Sequence, residues 1–320
     1  MTGRQERDEV MEIKINNYVV GTDNLIKKYM KSIKRTKTTR TRYVYATYLV
    51  SFNNFLVDNG IKLVDVRPMD IDEYIDYISY NKEGEPNKPQ IINARLSAII
   101  SFYDFLVENK LIKDNPCSRK KKLKVEEKQT VTYMTADEVR KIKAVIQNGK
   151  GRYKKYISRD IAIVDIGCCV GLRVSAITNI NIEDIDFDDN SIVVTEKGNV
   201  KRTIYFGENT KKCILDWMTQ RNAIMGNNSG ALFISKNKQR MSNDAVNDML
   251  HNATRMAGID KKITAHKMRS TCAMNLYAAK GDIYLVQQQL GHKNINNTMI
   301  YAKATNEQKR EVATLLDTIY

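Results

Sequence analysis

The stretch SRKKKLKVEEK, residues 118–128, carries six basic side chains and no apolar periodicity: Arg119, Lys120, Lys121, Lys122, Lys124 and Lys128. A hydrophobic core cannot run through such a segment. It therefore divides the 320 residues into two parts, each long enough to bury a core of its own. The segment reads as an exposed linker spanning residues 113–133. Its charge has two readings of equal standing, a solvated tether or a strap along a phosphate backbone.

All four prolines, Pro68, Pro86, Pro89 and Pro116, lie in the first part of the chain, and the part before the linker reads as helical. In TTRTRYVYATYLVSFNNFLVDNG, apolar residues recur at Tyr45, Tyr48, Leu49, Phe52, Phe55 and Leu56, and Gly60 supplies a stop. In NARLSAIISFYDFLVENK they recur at Leu96, Ile99, Tyr103, Leu106 and Val107. NLIKKYMKSIKR precedes these helices and DIDEYIDYISY lies between them. The pattern predicts an all-helical bundle over residues 20–112, with residues 1–20 as a short extension.

After the linker, TADE at Thr135–Glu138 has the Ser/Thr-x-x-Glu form of a capping box, so a helix begins there. DNSIVVTEKGNVKRTIYF contains two β-rich runs, Ile192–Thr195 and Thr203–Phe206, on either side of the turn pair Gly198-Asn199. Lys197 stands at the tip of that hairpin. No internal repeat is visible. The second domain, residues 134–320, is thus expected to be mainly α with a small β-sheet.

Lys+Arg 52 against Asp+Glu 37 gives a net charge of +15, which points to an anionic partner, nucleic acid first and a membrane surface second. No window approaches the ~18 consecutive apolar residues of a membrane span. MTGRQERDEV lacks the apolar core of a secretory signal, so a cytoplasmic protein is expected. The five cysteines form no C-x-x-C pair and read as reduced, buried thiols. With three histidines and none near a cysteine at ligand spacing, neither a zinc site nor any other metal or cofactor is expected.

Four short stretches carry candidate chemistry. GLRVSAI puts Arg173 at a loop-to-helix corner, where an arginine is either an ion-pair partner or an anion ligand. The hairpin offers Lys197. In TAHKMRSTCAMNLY, Thr264 reads as an N-cap, and His266 and Arg269 share one face of the first turns, a good place to hold an anion. In LGHKNINNTMIY, residues 290–301, His292 and Tyr301 flank a polar corner, and Tyr301 falls on the first turns of a last helical segment. A tyrosine there more commonly packs in a core, and with 17 tyrosines any single one is a weak signal.

Taken together, the order Arg, Lys, His-x-x-Arg, Gly-His, Tyr resembles the tyrosine recombinases, the phage-integrase and Xer-type enzymes. GLRVSAI is similar to the family's first box, EKGNVKR to its lysine hairpin, and HKMRST with LGHKNINNTMIY to its second box. Two positions depart from the pattern. Ala176 stands where an acidic residue is usual, and Ser270 where a histidine is common.

The resemblance implies site-specific recombination on double-stranded DNA through a 3′-phosphotyrosyl intermediate. Tyr301 would be the nucleophile and Arg173 and Arg269 the phosphate clamp. Lys197 would be the general acid, His266 the helper that deprotonates the tyrosine, and His292 a hydrogen-bond donor to the phosphate. The bundle would be a core-binding domain closing on duplex DNA with the catalytic domain. Arg40, Arg42, Arg119, Lys120, Lys121, Lys122, Lys201 and Arg202 are the candidate DNA contacts. ATNEQKREVATLLDTIY can form an amphipathic helix with Val312, Leu315, Leu316 and Ile319 on one side, and the resemblance implies that it docks on a neighbouring subunit of a synaptic tetramer. A type IB topoisomerase shares this chemistry and is one rival. A DNA-binding regulator with a silent catalytic domain is another.

Overall fold

The computed structural model describes residues 24–81, 83–118, 120, 122–125, 131–149, 155–196, 200–225, 230–302 and 314. The chain divides into two compact units, Met1–Glu127 and Lys128–Tyr320.

The first unit is a bundle of α1 (Asn24–Ser32), α2 (Thr39–Asp58), α3 (Pro68–Tyr77) and α4 (Pro89–Glu108). Thr38 caps α2 by accepting from the Thr41 backbone N–H at 3.2 Å. Helices α3 and α4 each open on a proline, whose fixed φ suits the first helical position and whose missing N–H costs nothing there. Leu49, Phe52 and Leu56 of α2 share a core with Ile99, Phe102 and Leu106 of α4. Buried tyrosines keep their hydroxyls paired: Tyr29 donates to Ser101 Oγ at 2.8 Å and Tyr103 to the Leu63 carbonyl at 3.2 Å.

This core continues past residue 112 to include Cys117. The opening of the basic segment is also fastened to the bundle and is not a free tether there. Lys120 pairs with Asp72, and the Asn93 side chain bonds both sides of Leu123, donating to its carbonyl at 2.9 Å and accepting from its N–H at 2.8 Å. Arg119 and Lys121 lie outside the described residues.

The second unit opens on α5 (Ala136–Gln147), which has the expected capping box. Thr135 Oγ1 accepts from the Glu138 N–H at 3.2 Å, and Glu138 accepts from the Thr135 N–H at 2.8 Å. Helix α6 (Ile157–Asp165) widens into a π-turn at Ile166–Val170, and α7 (Val174–Asn179) follows. Then come β1 (Ile185–Asp186), β2 (Ser191–Glu196) and β3 (Val200–Tyr205), and after them α8 (Glu208–Met225), α9 (Asn243–Met256), α10 (Ala265–Lys280), α11 (Ile283–Leu290) and α12 (Asn296–Met299).

The sheet is antiparallel in the order β1-β2-β3. Strand β2 covers the first expected run, and β3 starts three residues before the second and ends at Tyr205, one residue short of Phe206. The two-residue β1 is an addition that the sequence reading did not foresee. Lys197, Gly198 and Asn199 lie outside the described residues, as do residues 303–313 and 315–320, which carry nearly all of the expected tail helix. Ile192, Val194 and Ile204 turn into a core built around Ile163, Trp217, Phe233, Leu250 and Met268. The Trp217 indole N–H is satisfied by the Leu232 carbonyl at 2.8 Å. Among the described residues no helix is long and apolar enough to cross a membrane.

Candidate active site

The site is built where α10 crosses the π-turn. Two glycines permit the crossing. A Cβ on Gly167 would stand 2.6 Å from Met268 Cε, and one on Gly171 would stand 2.9 Å from Cys272 Sγ. Gly171 also ends the π-turn with φ +77, in the left-handed region that favours glycine. π-Turns insert one residue into a helix and often re-aim the chain at functional sites.

Thr264 occupies the N-cap position of α10, but its side chain makes no capping hydrogen bond. That corrects the sequence reading. Asn247 of α9 does the work instead, its Oδ1 accepting from the Ala265 N–H at 3.0 Å. The start of the helix that carries His266 and Arg269 is therefore set by a tertiary contact.

Arg269 is 2% exposed. Its Nη1 donates to the Gly171 carbonyl at 2.7 Å and its Nη2 to the Leu290 carbonyl. One side chain thus joins the GLR, HKMR and LGH stretches, which are far apart in sequence. Arg173 lies at the N-cap of α7 and is exposed. The other end of α7 is held by Arg240, whose Nη1 donates to the carbonyls of Thr178 at 2.8 Å and Ile180 at 3.2 Å. Sequence reasoning missed Arg240, because a lone arginine in a loop has no local signature.

His266 has its pKa pushed below the usual imidazole value, first by desolvation and then by the positive charges of Lys267, Arg269 and Arg173. Its neutral form is favoured, and the same positive charges would attract an anion. His292 follows Gly291, which ends α11 in the left-handed region at φ +64. The His292 Nδ1 is 2.9 Å from Thr298 Oγ1, and Thr298 is fully buried. This contact orients the ring and leaves Nε2 as its other polar atom.

Tyr301 was expected on a helical turn facing the site. It lies just beyond α12 and is 2% exposed, packed in an apolar cluster with Ala273, Val286 and Leu290. The cluster includes the residue whose carbonyl holds Arg269. Ala176 is half-buried against the main core, and Ser270 is buried with its hydroxyl donating to the His266 carbonyl at 3.2 Å.

The phage integrase family matches residues 132–308. The chain belongs to the phage integrase family. It is 32% identical to tyrosine recombinase XerC of Caldanaerobacter subterraneus subsp. tengcongensis, a match covering 88% of this chain and 83% of that one. It is 27% identical to the XerC of Pediococcus pentosaceus, over 90% of this chain and 95% of that protein. Among solved structures, XerH recombinase bound to palindromic difH substrate, a post-cleavage complex, has the same fold. The TM-score is 0.77 at 16% identity, over 97% of this chain and 89% of that one. A lambda integrase dimer on a COC′ core site gives a TM-score of 0.66 at 18% identity, over 87% and 94% of the two chains. The protein is a tyrosine-type site-specific recombinase.

In this recombinase the candidate DNA contacts divide. Lys201, Arg40 and Lys122 are exposed. Arg42 is half-buried and donates to Thr39 Oγ1 at 3.3 Å, and Lys120 is paired with Asp72. Arg202 belongs to the fold: its Nη1 donates to the carbonyls of Gln288 at 2.9 Å and Gln289 at 3.1 Å. Strand alternation separates the neighbours, with Arg202 on the face of Ile204 and Lys201 on the other.

All five cysteines are free. Three are buried as expected, but Cys169 is exposed and Cys213 half-buried. The Cys213 thiol donates to Asp165 Oδ2 at 2.8 Å, and burial together with that contact pushes its pKa up to about 12. It is a structural thiol and not a nucleophile. Among the described residues no cluster of His, Cys, Asp or Glu could hold a metal ion.

Proposed function

We propose that this recombinase cuts and reseals duplex DNA with Tyr301 as its nucleophile. The observation that carries the reading is Arg269, buried and tied to Gly171 and Leu290, because it gathers three motif stretches around one guanidinium. The Tyr301 oxygen bonds to the scissile phosphorus as the bond to the 5′ oxygen breaks. The product is a 3′-phosphotyrosyl link that stores the bond energy for resealing. Negative charge gathers on the nonbridging oxygens, and Arg173 and Arg269 neutralise it. Neutral His266 takes the tyrosine proton. His292 donates to a phosphate oxygen from Nε2 when Thr298 donates to Nδ1. Lys197 protonates the departing 5′ oxygen.

Tyr301 packs in an apolar cluster with Ala273, Val286 and Leu290. Attack on a phosphate requires its hydroxyl to leave that cluster, so the reaction needs the segment after Thr298 to unpack. The bundle, the basic segment and Lys201 supply phosphate contacts, and a net charge of +15 fits a strongly salt-dependent affinity. The active form is an oligomer on DNA, with the tail coupling subunits of a synaptic tetramer. Residues 1–20, 20–112, 113–133 and 134–320 serve as extension, core-binding domain, linker and catalytic domain.

The test is covalent trapping on nicked duplexes drawn from the DNA flanking the gene, in EDTA. Wild-type protein forms an adduct that survives denaturation, and Tyr301→Phe forms none. An adduct with the phenylalanine variant would overturn the assignment. Relaxation of any supercoiled DNA regardless of site would favour the topoisomerase reading instead.

A further inference from the structure

The last turn of α11 is held by two arginines from different elements. Arg202 of β3 takes the carbonyls of Gln288 and Gln289, and Arg269 of α10 takes the next one, Leu290. These carbonyls belong to the C-terminal turn of the helix, where a cation is favoured by the helix dipole; that of Gln288 also accepts from the Gly291 N–H at 3.1 Å. The same turn is pinned by Gln289 Nε2, which donates to the Val170 carbonyl at 2.9 Å in the π-turn. Gln287 ties it to His292: its Nε2 donates to the His292 carbonyl at 2.9 Å, and its carbonyl accepts from the His292 N–H at 3.1 Å. Four neighbouring residues thus fix Arg269, His292 and the π-turn together. Arg202 is the strut that joins this hub to the hairpin. Its place is set by register, since Arg202 pairs with Val194 and lies on the inner face beside Ile204.

We propose that Arg202 is a positioning residue for the phosphate site and not a DNA contact. It holds the α11 terminus so that His292 and Arg269 meet the scissile phosphate, and it ties that terminus to the strand leading from Lys197. The inference rests on the reading of Arg269 and His292 as phosphate ligands. A phosphate-binding arginine would be lost as affinity. A strut is lost as rate.

The experiment compares wild type, Arg202→Ala, Arg202→Lys, His292→Ala and the Arg202→Ala/His292→Ala pair on one nicked duplex. Binding is measured across a salt series, and single-turnover cleavage at saturating DNA. Arg202→Ala should bind with unchanged affinity and salt slope yet cleave about 10–100-fold more slowly. Lysine, with one point charge, should restore part of the rate. The double variant should lose less rate than the product of the two single losses, because part of the Arg202 effect runs through His292. A weaker affinity with a salt slope smaller by about one and a normal saturating rate would make Arg202 a phosphate contact and overturn the proposal. So would losses that multiply in the double variant.

Amide exchange in DNA-free protein separates this outcome from a failure of the recombinase chemistry. If wild type forms no adduct on any DNA, faster exchange at Gly291 and His292 in Arg202→Ala, at an unchanged melting temperature, still supports the strut. Unchanged exchange there overturns it.

Discussion

Arg269 donates from Nη2 to the carbonyl of Leu290, two residues before His292. The contact joins two helices: Arg269 sits on α10 and Leu290 ends α11, and Tyr301 packs in the same cluster as that leucine. The residues proposed as phosphate clamp, phosphate hydrogen-bond donor and nucleophile therefore share one anchor. Disturbing that anchor should disturb all three.

Arg269→Lys tests this first. A lysine keeps the charge but cannot span Gly171 and Leu290 with one planar fork. Cleavage at saturating DNA should fall at least a hundredfold, in line with about 3–4 kcal/mol for an oxyanion-type contact. Arg269→Ala should also lower thermal stability, since each buried carbonyl left unpaired costs about 1–3 kcal/mol. Single-turnover cleavage and thermal unfolding on the same preparations check both outcomes.

His266 should titrate below an ordinary imidazole. Its folded pKa is lowered by desolvation and by Lys267, Arg269 and Arg173. The sign for stability follows: the unfolded chain binds the proton more tightly, so this group's contribution is complete above the unfolded value and is lost as pH falls through the folded one. Arg173→Ala removes a positive neighbour and should move the His266 midpoint upward. Proton NMR of the three histidines in DNA-free protein reads both shifts.

Gly171→Ala should destabilise the second unit. The position has φ +77, and the added methyl would meet Cys272 Sγ at 2.9 Å and Leu290 Cδ2 at 3.0 Å. Left-handed strain and crowding together should cost about 1–3 kcal/mol. Denaturant unfolding should show the loss, and cleavage should fall with it because the Gly171 carbonyl holds Arg269.

Asn247→Ala and Thr264→Ala should separate the real cap from the apparent one. Asn247 Oδ1 accepts from Ala265 N–H, whereas Thr264 makes no side-chain cap bond. Removing the asparagine should cost about 1 kcal/mol and removing the threonine hydroxyl markedly less. Thermal melts of the two variants side by side decide it.

Much of this fold was legible because its signals are local. The periodicities of α2 and α4, the Thr135–Glu138 capping box and the two β runs each sit within one short window. The order of Arg173, His266, Arg269, His292 and Tyr301 was legible as a pattern. What stayed hidden depends on partners distant in the chain. Asn247 caps a helix 18 residues on, Arg240 closes α7 from a loop, and Lys120 finds Asp72 across the bundle. The π-turn at IGCCV adds one residue to a buried helix, which an all-apolar run cannot reveal. Arg202 could have been read from strand alternation with Ile204 and Phe206, but its charge drew it into the DNA-contact set. Tyr301 was expected to face the site, while the apolar cluster of Ala273, Val286 and Leu290 was not visible from its neighbours.

The measurement that bears most directly on the central claim is the identity of the DNA-linked side chain. Wild-type protein is trapped on a nicked duplex in EDTA, digested with nuclease and protease, and the nucleotide-bearing peptide is sequenced by mass spectrometry. Of the 17 tyrosines, Tyr301 alone should carry the nucleotide, joined through its 3′ phosphate. A nucleotide on any other residue, or a 5′ linkage, would contradict the account.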